Sequence, residues 1–134
     1  MKTLLIVAYW IGILADAGAT VLLFFPSTAN LVLAPKPFEL TPMFMYVSRV
    51  GGALMLGWTV LLFWAQLKPL ERADILLITL FPVVALLALA AVLVTGSGAI
   101  SLTNMVPMFV LYIVIFGTYI PSYLWARKQR SAAN

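Results

Sequence analysis

Four apolar runs leave this chain little choice of medium. Thr3–Phe25, Met43–Leu67, Ile75–Gly96 and Met105–Trp125 are each 21 to 25 residues long, and about 20 apolar residues suffice for a helix to cross the hydrocarbon core of a bilayer. Backbone N–H and C=O groups in hydrocarbon must be paired within the segment. With no alternation of the porin kind, helices are the remaining solution. The sequence therefore predicts an all-α integral membrane protein, a four-transmembrane-helix bundle forming one domain over residues 1–134. Its composition agrees: 64% of residues are hydrophobic and 9% charged, where soluble domains carry about 25% charged residues.

The basic residues set the orientation. Lys2, Lys68, Arg72, Arg127, Lys128 and Arg130 fall on one side of the predicted spans and Lys36 alone on the other. By the positive-inside rule, both termini and the middle loop face the cytoplasm, which places the protein in the cytoplasmic (inner) membrane. The net charge of +4 thus reads as orientation and contact with anionic lipid, with no nucleic acid implied. Lys2, the apolar run and Ala15-Asp16-Ala17 imitate a cleavable signal peptide. The apolar run resumes at once through Phe25, however, and an uncleaved first helix is expected.

Between the runs, Pro26–Pro42 contains Pro35-Lys36-Pro37, which cannot be helical. Within it Ala29–Ala34 is expected as a connector lying along the surface, with a lid over an outward cavity as the sharper alternative. Asp74 and Asn104 are placed to cap the third and fourth helices. Pro82, Pro107 and Pro121 predict kinks. Ser48 with Gly52, Ala53 with Gly57, and Ala15 with Ala19 are small-xxx-small pairs that let helices approach closely. Tyr123, Trp125 and Trp64 read as interfacial anchors.

Only two full charges lie well inside the runs, Asp16 and Arg49. Counted from the ends of their runs, Asp16 lies roughly 14 Å and Arg49 roughly 9 Å below the outer surface. An arginine can bridge that difference, so a buried Asp16–Arg49 ion pair is the expected polar centre, where it would hold a ligand headgroup, a quinone-like carbonyl or a proton. The alternative has Arg49 reaching the lipid headgroups and Asp16 protonated. Tyr46 and Ser48 on the second helix could add hydroxyls, as could Tyr112 and Tyr119, which share a face of the fourth.

The segment ADAGATVLLFFPSTANLVLAP followed by SRVGGALMLGW resembles the small four-helix bacterial membrane proteins grouped as DoxX-like. In those, a first helix, a proline-bearing outer loop and an arginine- and glycine-rich second helix recur. The matching positions here are Pro26, Arg49, Gly51, Gly52 and Gly57, and the resemblance covers residues 12–66. Many members of that grouping have no assigned activity, so it implies architecture more than function.

The chain has no cysteine and no histidine, which removes disulfides, thiol chemistry and the commonest metal ligand and general base. No metal, haem or other cofactor is expected. One isolated acid does not make an acid–base machine, so the reading leans away from an enzyme. It favours a small accessory or lipid/quinone-interacting membrane protein, working with a larger membrane partner or as a homo-oligomer. The alternative is an oligomeric small transporter or channel subunit, because four helices are few for a pathway within one copy. An Arg49 beside Asp16 would repel a cationic substrate.

Overall fold

The computed structural model describes residues 1–28 and 39–133, so the expected Ala29–Ala34 connector and the Pro35-Lys36-Pro37 segment lie outside the described residues. Its elements are α1 (Lys2–Phe24), α2 (Pro42–Gln66), α3 (Asp74–Ile78), α4 (Ala85–Gly96) and α5 (Leu102–Ala133), with an interrupted stretch Thr79–Val84 joining α3 to α4. α3, that stretch and α4 together make the third span. Four helices are long and apolar enough to cross a membrane, and no strand occurs among the described residues.

The helices start where the chemistry of their first turns directs. At α2, the Thr41 hydroxyl accepts from the Phe44 backbone N–H at 3.2 Å and Pro42 follows in the first turn. Proline suits that position because the N–H it lacks would have no partner in the helix. At α5, Ser101 Oγ accepts from Asn104 N–H at 3.4 Å, so the serine, not the expected Asn104, takes the capping role. Asp74 also departs from expectation. It is the first residue of α3, after Ala73, and its carboxylate is turned to Arg130 on α5, at 2.7 and 2.8 Å to the two guanidinium nitrogens. Between α4 and α5, Gly98 takes a φ of 75°, a conformation glycine adopts at no steric cost.

Proline acts unevenly. The third span breaks at Phe81 (φ −128°, ψ 111°), immediately before Pro82, because proline drives its predecessor out of the α region. Pro107 and Pro121 lie inside α5, which runs unbroken through both. That helix also continues past the predicted end at Trp125 to Ala133, so the basic tail is helical.

α1 packs against α2 and α5, and the third span packs against α5. α1 and α2 are antiparallel: Ser48 Oγ donates to the Leu23 carbonyl at 2.8 Å, and Gly52 faces Leu23 and Phe24. A bond of 3.1 Å from Trp58 Nε1 to Thr79 Oγ1 ties α2 to the third span. Phe81 meets Phe116 edge to face at 5.8 Å, joining the break to α5. The core contains Leu5, Leu62, Leu76, Leu80, Ile115 and Tyr119. At the end bearing both termini, the Tyr9 hydroxyl donates to the Arg72 carbonyl at 2.9 Å, and the Arg72 guanidinium lies over the Trp64 ring, 3.4 Å from its centre. Trp64 stays half exposed, while Tyr123 and Trp125 pack against the core.

Candidate functional site

The register of α1 against α2 decides the fate of the expected polar centre. Ser48 is level with Leu23 through its hydrogen bond, so Arg49 stands near the far end of α1. Asp16 is seven residues further back, roughly 10 Å along the axis. Arg49 is exposed on the surface of the bundle. Among the described residues the ion pairs are Lys68–Glu71 and Arg130–Asp74, and Asp16 and Arg49 do not form one. The expectation failed because both depths were counted from the ends of apolar runs, whereas α2 begins beyond the level at which α1 ends.

The other nominated residues divide. Tyr46 is 67% exposed and joins no interior site. Ser48 is buried, but its hydroxyl is committed to the Leu23 carbonyl. Tyr112 and Tyr119, one face of α5, are both buried, at 8% and 1% exposure. They open on different surroundings.

Tyr119 faces α1. Its hydroxyl lies against Gly12, where a β-carbon would collide with it, and Asp16 stands one turn further along the same face of α1. Asp16 Oδ2, the Tyr119 hydroxyl and Ser122 Oγ are buried with no hydrogen-bond partner. Thr20, the next hydroxyl on α1, donates to the Asp16 backbone carbonyl at 2.8 Å and not to its carboxyl. The interior polar seam therefore runs between Asp16 on α1 and Tyr119 on α5, and Ser122, buried and unpartnered on α5, is a polar residue that sequence reasoning missed. Ser122 is one turn from Tyr119 on α5, and this spacing was the signal that could have found it.

Tyr112 lines a groove of about 780 Å3 between α4 and α5, walled by Leu89, Val92, Phe109, Phe116, Gly117 and Ile120 among others. Tyr112 is the one lining residue with a polar side chain. Its hydroxyl has no hydrogen-bond partner among the described residues. It lies ten residues into α5, roughly 15 Å from the start of that helix. A single hydroxyl in a hydrocarbon-walled groove can hold an apolar chain and orient one polar atom on it. Among the described residues no three acidic side chains converge as a metal site.

Compared with models of protein families, with curated proteins and with solved structures, the chain matches none.

Proposed function

We propose that this chain is a multi-pass protein of the cytoplasmic membrane, with both termini inside, that binds a neutral, tailed amphiphile of the quinone class in the groove between α4 and α5. The observation carrying this reading is the Tyr112 phenol, alone among apolar side chains in a groove of about 780 Å3. Its depth of roughly 15 Å is about half the thickness of the hydrocarbon core. A charged or zwitterionic headgroup is too costly there, whereas an uncharged carbonyl on a hydrocarbon tail is at home. The phenol donates to that carbonyl while Phe109, Phe116 and the aliphatic wall hold the ring and tail. The orientation rests on six basic residues against one, and Arg49, exposed near the outer end of α2, reaches the headgroup layer. The role is binding, as an accessory subunit or carrier site, with no chemical step assigned to the protein.

The test is a titration of the purified chain in phosphatidylcholine nanodiscs with a decyl-tailed benzoquinone, read by quenching of its tryptophans. Saturable quenching is expected, weakened by up to about tenfold in Tyr112→Phe, the worth of one hydrogen bond. Quenching that rises linearly and identically in both proteins would reject the reading.

A further inference from the structure

The seam between α1 and α5 is separate from the groove and has its own chemistry. Asp16 carries a carboxyl oxygen that is buried with no partner, and the Tyr119 hydroxyl and Ser122 Oγ are likewise unpartnered on the facing helix. Tyr119 is 1% exposed and Ser122 fully buried. Buried polar groups are normally paired, and each one left unpaired is a free-energy cost. Asp16 and Tyr119, on facing helices, call for a common explanation. Gly12 contributes to it: the absence of a side chain lets the Tyr119 phenol approach α1 one turn from Asp16.

The groups that could satisfy the carboxyl from within the protein are engaged elsewhere or out of reach. The Thr20 hydroxyl is bonded to the Asp16 backbone carbonyl. On α2, the ionisable groups are Tyr46 and Arg49, both exposed. On α5, the group facing Asp16 is Tyr119, while Arg130 is bound to Asp74 at the end bearing the termini. The Tyr119 phenol oxygen lies against α1 one turn from Asp16, so a carboxyl oxygen and a phenol oxygen, both unpartnered, offer oxygen donors in one stretch of an apolar interior. Such donors suit a small hard cation of single charge, which would neutralise the acid.

We propose that Asp16, with the hydroxyl of Tyr119, forms an internal binding site for one small monovalent cation, H⁺ or Na⁺. Arg49 stands about 10 Å along the axis from this site, so its guanidinium does not occupy the place a cation would take, and its repulsion is weaker than that of an ion-pair partner. The site does not depend on an amphiphile in the α4–α5 groove.

The experiment uses the full chain in phosphatidylcholine nanodiscs. Thermal unfolding is followed with NaCl replacing choline chloride at constant ionic strength, and separately across pH without Na⁺, for wild type and Asp16→Asn. A sodium site gives a saturable rise in Tm in wild type that is lost in Asp16→Asn and weakened in Tyr119→Phe. A proton site gives no sodium response but a pH dependence of Tm that Asp16→Asn flattens. Identical sodium and pH responses in wild type and Asp16→Asn overturn the proposal. Should the variants fail to fold, infrared spectroscopy of the wild type decides. A protonated carboxyl band at neutral pH, or a carboxylate band shifted by Na⁺, supports the site; a spectrum with neither feature overturns it.

Discussion

The hydroxyl of Tyr119 rests against Gly12, at a point where a β-carbon on α1 would overlap it. The same β-carbon would come within 3.0 Å of Leu62 on α2, so this glycine sits where three helices meet. Gly12→Ala therefore forces α5 or α2 outward, and overpacking of this kind costs about 1–3 kcal/mol, more than the gain of up to ~1 kcal/mol in helix propensity. Unfolding of purified protein should show the loss, and Gly12→Ala combined with Tyr119→Phe should recover part of it. Equal destabilisation in the single and double variants would mean that the phenol is not the obstacle.

The glycines of α2 should behave differently from one another. A β-carbon at Gly52 would lie 2.8 Å from the Phe24 ring and 3.3 Å from Leu23 Cβ, whereas at Gly57 it meets nothing within 4 Å. Gly52→Ala is expected to destabilise by about 1–2 kcal/mol, and Gly57→Ala to be neutral or stabilising by up to ~1 kcal/mol. The two Tm values measured side by side check this ordering.

The bond from Trp58 to Thr79 links α2 to the third span just before its break at Phe81. Thr79→Val keeps the shape and leaves the indole N–H without its acceptor, at a cost of about 1–3 kcal/mol. The Trp58→Phe variant removes the donor instead. Similar stabilities for Trp58→Phe and for the double variant would show that the two act through one bond.

At the end bearing the termini, ahead of the apolar run that starts at Ile75, the Arg130 hydrogen bonds hold the Asp74 carboxyl below the usual carboxylate range. A group depressed in the folded state contributes stability above its unfolded pKa, near 3.9, and loses it as pH falls through the folded value. The pair is largely exposed, with Asp74 at 57%, so its worth is at most about 1 kcal/mol. Arg130→Ala should therefore lower Tm slightly at pH 6–7, and the difference from wild type should begin to shrink near pH 4 and vanish once the pH is below the folded-state value. A difference that persists unchanged in acid would point to lost packing instead.

The helices were legible because hydropathy and run length mark long apolar helices directly, and the runs ending at Phe25 and starting at Met43 differ from α1 and α2 by a single residue each. Their relative height was not legible. An apolar run tells how long a helix is and not how far it slides along its neighbour, so Arg49 was drawn to Asp16's level when Ser48 and Leu23 set it elsewhere. The periodicity of α5 placed Tyr112 and Tyr119 on an interior face, which the structure bears out at 8% and 1% exposure. It could not distinguish the groove that one opens on from the seam that the other enters, because that depends on which helices flank α5. The helical tail escaped notice for a related reason: Arg127–Arg130 looks like a solvated charge run until Asp74, 56 residues earlier, is brought beside it.

The most direct test of amphiphile binding is to fill the groove without disturbing the fold. Gly117 lines it, and a β-carbon there meets nothing within 4 Å, so Gly117→Leu occupies the space where the tail would lie. The same benzoquinone titration should then show saturable quenching abolished, at a Tm within a few degrees of wild type. Binding of unchanged affinity in Gly117→Leu would contradict the account.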